Sequence, residues 1–114
     1  MADHIDIRPA TGTWVVRAGG AVLGESGHAL VLSEGGHDPV VYFPRDDIAM
    51  EFLDTSDKVT TCPWKGDAQH YSIATKSTVL ENAAWSYEDP NPEVAAIKGH
   101  LAFYMRDDVA VEEV

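Results

Sequence analysis

Cysteine is almost absent from this 114-residue chain, because Cys62 is the only one. No disulfide can form within the chain, and the paired cysteines of a structural zinc site are missing. Histidines stand at positions 4, 28, 37, 70 and 100, without a short metal-ligand spacing such as His-x-x-x-His. The sequence therefore predicts neither a metal site nor a bound cofactor.

Long apolar runs are also absent. No stretch approaches the roughly 20 apolar residues that a membrane-spanning helix needs. The first eight residues, MADHIDIR, lack the basic and apolar segments of a secretory signal peptide. We therefore expect no membrane partner and a cytoplasmic location, which the lone cysteine also suits.

Basic residues are few: 8 Lys and Arg stand against 19 Asp and Glu, giving a formal net charge of -11. Nucleic acids and anionic membranes would meet net repulsion, since affinity for phosphates depends largely on Lys and Arg. The charge therefore argues against nucleic-acid partners. It favours solubility, and it leaves open an acidic interaction domain that meets a basic protein.

The residues that are present indicate one globular domain over residues 1–114, mostly β in class. Apolar residues make up 45% and charged residues 24%, which is ordinary for a globular chain. Short apolar runs rich in β-branched and aromatic residues alternate with turn residues, as in antiparallel sheets of eight or nine short strands. Five of the predicted strands lie at 59–62, 69–74, 83–87, 101–105 and 109–112.

Four more strands are predicted as two hairpins. The first turns at the Gly-Gly dipeptide 19–20, where both positions can adopt the positive φ of a tight hairpin turn. The second has a longer loop over 35–39. The paired strands are 14–18 with 21–23, and 30–32 with 40–43.

Helix signals are sparse. Asn91 is a favourable N-cap, Pro92 suits the first helical position and Gly99 suits the end, so a two-turn helix is predicted between them. A single further turn is predicted over 44–50.

Four segments of the chain resemble the domain of unknown function 427 family, in the same order and at similar spacing. They are TTCPWKGDAQHY at 60–71, VYFPRDD at 41–47, AWSYEDP at 84–90 and GHLAFY at 99–104. The resemblance implies a β-tent, in which two antiparallel sheets lean together with one or two short helices. The family is sometimes labelled a nucleotidyltransferase domain, but the chain has neither a Gly-Ser with a spaced Asp pair nor a phosphate-binding glycine loop.

Aromatic residues in these segments could line a small-molecule pocket. Side chains alternate along a strand, so Trp85 and Tyr87 are predicted to share one face of their strand. Tyr42 and Tyr104 could add hydroxyl groups to an otherwise apolar wall, the usual composition of a ligand site. The alternative is that all four are core residues.

Cys62 and Lys65 are the candidate catalytic residues. A cation near a thiol favours the thiolate, the nucleophilic form, and His70 could act as the base. The alternative for Cys62 is a small buried apolar residue. Lys65 also stands in a loop that could contact a ligand, or it is a lysine on the rim of a turn.

Further polar candidates lie outside that loop. Arg45 could bind an anion, and Asp47 or its neighbour Asp46 could cap the following turn. Tyr71 and His100 are further candidate ligand-binding residues. The full predicted ligand-binding set is Tyr42, Arg45, Asp47, Lys65, Tyr71, Trp85, Tyr87, His100 and Tyr104.

Three functions remain open from the sequence. The first is binding of an unknown small molecule in a pocket around residues 62–71. The second is an enzyme that uses Cys62 as a thiol nucleophile, and the third is the acidic protein-interaction domain. Exposed edge strands of such a domain could also pair to form a homodimer.

Overall fold

The structure, a computed structural model, describes residues 4–114. Within them lie ten β-strands and three short 3-10 helices, which confirms the mostly-β prediction. The strands are β1 (Ile5–Pro9), β2 (Trp14–Ala18), β3 (Ala21–Ser26), β4 (Leu30–Glu34), β5 (Val40–Tyr42), β6 (Leu53–Cys62), β7 (Gly66–Ala74), β8 (Val79–Ser86), β9 (Ala102–Phe103) and β10 (Val109–Glu113).

The strands form three antiparallel sheets, where the family resemblance implied two. Their orders are β1-β4-β5, β10-β2-β3 and β6-β7-β8-β9. Between the first and the last of these, one isolated bridge joins Phe43 to Leu101. Because a single bridge replaces a continuous ladder there, the hydrogen bonds define separate sheets.

Both predicted hairpins are present. In the first, Ala18 pairs with Ala21 across Gly19 and Gly20, whose φ angles are +58° and +85°. Two positive φ angles in sequence fit the right-handed twist of the flanking strands, which explains why glycine occupies both positions. In the second hairpin β4 pairs with β5 across the loop at residues 35–39.

The four-stranded sheet is covered with apolar side chains on both faces. The register pairs Tyr71 with Ala84, and His70 with Trp85, so adjacent residues of β7 point to opposite faces. One face joins a core cluster that includes Tyr71, Ile73, Ala84 and Phe103. The other joins a cluster that includes Ala68, Tyr42, Tyr87 and Trp85. Trp85 and Tyr87 thus share a face, as alternation predicts.

Strand β1 was missing from the sequence prediction. It alternates apolar Ile5 and Ile7 with charged Asp6 and Arg8, and all of them pair with β4. The prediction overlooked β1 because its apolar residues are only two and are interrupted by charges, so no continuous apolar run marks it.

The helical segments are shorter and tighter than predicted. A 3-10 helix, η3, spans Pro92–Ile97, and Gly99 follows it with φ +72°. Asn91 is the N-cap residue of this helix, as predicted, but its side chain makes no capping hydrogen bond, and its amide donates to the carbonyl of Pro63 at 3.2 Å. The predicted turn over 44–50 is two 3-10 helices, η1 (Arg45–Asp47) and η2 (Met50–Phe52). No helix within residues 4–114 has the length and apolar character needed to cross a membrane.

Candidate functional site

Five residues that the sequence nominates line one cavity of about 360 Å³. The cavity lies between the β1-β4-β5 sheet and one face of the four-stranded sheet. We call it the lysine cavity and define it by Glu34, Tyr42, Lys65, Trp85, Tyr87 and Tyr104. Glu34 is the member that the sequence argument did not include.

Lys65 enters the lysine cavity from the turn between β6 and β7. Its backbone N–H donates to the carbonyl of Cys62 at 3.2 Å, and its carbonyl accepts from the N–H of Asn91 at 2.9 Å. Gly66 follows with φ +110°, a conformation that a side chain would disfavour. These backbone bonds hold both sides of the residue, so the loop presents its lysine from a fixed position.

Lys65 and Glu34 form a nearly buried ion pair. The ammonium group donates to Glu34 Oε1, and only 9% of the surface of Lys65 is exposed. His4 Nε2 lies 3.5 Å from the other carboxylate oxygen. Burial raises the pKa of Glu34, but the hydrogen bond and charge of Lys65 outweigh it and hold the pKa below its usual value. The Glu34 carboxylate is therefore ionised at neutral pH.

Aromatic side chains form the rest of the cavity wall. The ring centroids of Trp85 and Tyr104 are 4.4 Å apart, and the Trp85 indole N–H points to the hydroxyl of Tyr42 at 3.4 Å. Burial raises the pKa of Tyr42 to about 12 and also raises the pKa of Tyr87. Both phenols are therefore neutral at physiological pH and can donate hydrogen bonds.

The hydroxyl of Tyr87 has no hydrogen-bond partner within the part of the chain that the structure describes. Tyr87 lines the lysine cavity, and the Lys65 ammonium is 6.0 Å from the centroid of its ring. Among the described residues, Asn82 Oδ1 alone is buried without a partner, so the Tyr87 oxygen remains accessible from the cavity. This unpaired hydroxyl is therefore available to a molecule in the cavity.

His70 supports Tyr104 from behind this wall. Its ring is fully buried; Nε2 lies 2.9 Å from the hydroxyl of Tyr104, and Nδ1 lies 3.3 Å from the carbonyl of Ala68. Burial lowers the pKa of His70, so the imidazole is neutral at physiological pH. Its contacts position Tyr104, whereas the sequence argument had paired it with Cys62.

Cys62 and the lysine that was expected to activate it line different cavities. The partly buried thiol residue lines a different, more open cavity with Asp67, Glu88 and Asp89. The Lys65 ammonium is bound by Glu34 instead, and no hydrogen bond joins it to Cys62 among residues 4–114. The two candidate catalytic residues are neighbours in the turn, but their side chains serve different cavities.

Arg45 and Tyr71 form a separate polar cluster with Glu88. The guanidinium of Arg45 contacts the Glu88 carboxylate and donates to the carbonyl of Gly99 at 3.0 Å. The Tyr71 hydroxyl donates to the same carboxylate. Because Tyr71 lies on the opposite face of the sheet from Trp85, this cluster is outside the lysine cavity.

Asp47 and His100 also lie elsewhere. Asp47 accepts a hydrogen bond from the hydroxyl of Ser26 at 2.6 Å, and neither it nor Asp46 caps η1 or the following η2. His100 Nδ1 is 3.2 Å from the carbonyl of Lys98. Both side chains thus contact other parts of the chain, and neither lines the lysine cavity.

Glu34 could have been found from the strand pattern. It stands two residues after the buried Leu32 on β4, so alternation places both on one face. A carboxylate on the apolar face of a strand needs a partner, since an unpaired buried charge is costly. That partner could not be identified from sequence, because Lys65 is 31 positions away.

Residues 4–114 contain no group of three or more His, Cys, Asp or Glu side chains arranged to hold a metal ion.

A family model described as "Domain of unknown function (DUF427)" matches residues 6–114. The match covers all ten strands except the first residue of β1. A search of curated proteins finds no match to this chain.

Proposed function

This chain belongs to the DUF427 family, and we propose that it binds a small organic molecule in the lysine cavity. One observation carries the proposal: a nearly buried ion pair, Lys65 with Glu34, faces an aromatic wall across a cavity of about 360 Å³. Ligand sites commonly have this composition, with apolar walls and a few fixed polar groups.

The polar groups of the cavity favour a ligand with hydrogen-bonding atoms at one end. The ammonium of Lys65 and the hydroxyls of Tyr42 and Tyr87 are donors, and the carboxylate of Glu34 is an acceptor. The rings of Trp85 and Tyr104 offer flat apolar surface beside them. A planar or partly aromatic molecule with polar substituents matches this set.

The proposal is tested by a thermal-shift screen of small metabolites against the folded protein. A ligand that binds only the folded chain raises its stability, by about 2.7 kcal/mol at one hundred times its dissociation constant. We expect the shift from a true ligand to be lost in Lys65→Met and reduced in Tyr87→Phe. Tyr87→Phe removes only an unpaired hydroxyl, so the fold should persist.

Lys98→Met is the matched control, because Lys98 is exposed and lies outside the cavity lining. Its ligand-induced shift should equal that of the wild type. Equal shifts in the wild type, Lys65→Met and Tyr87→Phe would contradict the proposal, as would a broad screen with no stabilising compound.

A further inference from the structure

A second cavity of about 410 Å³ lies beside the lysine cavity and has a different lining. We call it the valine cavity and define it by Val31, Val41 and Val111 together with Trp14, Phe103 and Met105. These side chains come from the β1-β4-β5 sheet, from the β10-β2-β3 sheet, and from β9 and the segment that follows it. Met105, 64% exposed, shows that the cavity opens to solvent.

Apolar residues line this cavity with one charged exception, Asp38, among the residues that the structure describes. Asp38 stands in the loop of the second hairpin. Its carboxylate makes no hydrogen bond or ion pair within residues 4–114. The valine cavity therefore combines an apolar body with one negative charge on its solvent-exposed side.

Asp38, Val40, Trp85 and Tyr104 line both cavities, whereas Lys65 lines only the lysine cavity. Cations are attracted to the faces of Trp and Tyr rings, and more so when an anion is near. The formal net charge of -11 adds a long-range attraction for cations and a repulsion for anions.

We propose that the valine cavity binds hydrophobic amines, with the apolar body among the valines and Phe103 and the ammonium group at Asp38. Trp85 and Tyr104 line the same cavity as that carboxylate and offer cation–π attraction to the ammonium group. The site excludes Lys65 and Glu34, although it shares Trp85 and Tyr104 with the lysine cavity, so variants of Lys65 and of Asp38 separate this proposal from the proposed function.

Three probes of nearly equal shape and different charge test the proposal: 2-phenylethylamine, 2-phenylethanol and 3-phenylpropionate. Intrinsic tryptophan fluorescence reports binding, because Trp14 and Trp85 line the cavity. We expect the amine to bind about fivefold more tightly than the alcohol, as an ion pair near the surface contributes up to about 1 kcal/mol. The propionate should bind most weakly.

The Asp38→Asn variant should bind the amine and the alcohol with equal affinity. Asp46 is exposed and does not line the cavity. The control variant Asp46→Asn should therefore keep the wild-type preference for the amine. Val111→Phe, which fills part of the cavity, should weaken all three probes.

The opposite results overturn the proposal: equal affinity for amine and alcohol in the wild type, tighter binding of the propionate, or no binding of any probe. Amine binding that Lys65→Met abolishes and Asp38→Asn leaves unchanged would assign the amine to the lysine cavity and also overturn it. If Lys65→Met keeps amine binding, the valine cavity stands even where the metabolite screen fails.

Discussion

At the residue scale, the ion pair between Lys65 and Glu34 is the least exposed of the ion pairs within residues 4–114. Each side chain is mostly removed from water, and each is the other's counter-ion. Removing one partner leaves a poorly solvated charge behind, which costs more than the net contribution of the pair. The ion pair therefore holds the β6–β7 turn against β4 and also supplies the cavity with two charged groups for ligand binding.

Replacing Glu34 with Gln should destabilise the protein at pH 7 by about 1–3 kcal/mol, because Lys65 loses its counter-ion. The folded-state pKa of Glu34 is lowered, so the carboxylate stabilises the fold above the ordinary value of 4.5. This contribution is lost as the pH falls through the folded-state pKa. The stability difference between wild type and Glu34→Gln, measured by urea unfolding, should therefore shrink below pH 4.5.

Glu112→Gln is the control for this measurement. Glu112 pairs with Arg17 at 3.3 Å, but its side chain is 55% exposed. Its loss should cost well under about 1 kcal/mol, because water already screens the pair. A Glu34→Gln variant as stable as Glu112→Gln at pH 7 would contradict the assignment of a stabilising, nearly buried pair.

At the scale of elements, β3 of the β10-β2-β3 sheet lies in close contact with η1, the 3-10 helix that begins at Arg45. Gly24 bridges to Ile48, and a Cβ atom placed on Gly24 would lie 2.4 Å from the carbonyl oxygen of Asp47. The strand can approach the backbone of η1 this closely only without a side chain. Glycine at this position is required by packing rather than by a turn.

The Gly24→Ala variant should therefore lose about 1–3 kcal/mol of stability, the usual cost of forcing atoms into a packed region. Gly27→Ala is the matched control, since a Cβ there meets nothing within 4 Å. It should change stability by less than about 0.5 kcal/mol. Thermal unfolding of both variants measures the difference, and equal melting temperatures would show that β3 can move away from η1 at little cost.

The hairpins and the helical segments show what local sequence predicts at this scale. Gly19 and Gly20 determined the first turn, because few residues other than glycine adopt two successive positive φ angles. Asn91 stands at the predicted N-cap of η3, but its side chain makes no capping hydrogen bond, and its amide donates to the carbonyl of Pro63 in a neighbouring loop. Local signals thus place the end of the helix, whereas the partner of the side chain depends on a distant segment.

At the scale of the whole molecule, acidic side chains outnumber basic ones by 19 to 8. Most carboxylates therefore cannot have a basic partner, and the folded chain concentrates their mutual repulsion. Repulsion of this kind is long-range and is screened by salt. The net charge thus affects the free energy of unfolding through long-range repulsion, which dissolved salt screens, more than through individual ion pairs.

Raising the concentration of NaCl from 10 to 150 mM at pH 7 should raise the melting temperature, because the Debye length falls to about 8 Å and the self-repulsion weakens. Differential scanning calorimetry across this range measures the effect. A melting temperature that falls with added salt would mean that attractive ion pairs outweigh the repulsion.

Local patterns in the chain were enough to predict the mostly-β class, the two hairpins and the residue types of a candidate site. These depend on alternation and turn chemistry, which act between neighbours in the chain. The folded chain was needed to show that Lys65 pairs with Glu34, that Arg45 and Tyr71 lie outside the lysine cavity, and that three sheets form. Those outcomes depend on contacts between residues far apart in sequence, which one chain's local pattern does not encode.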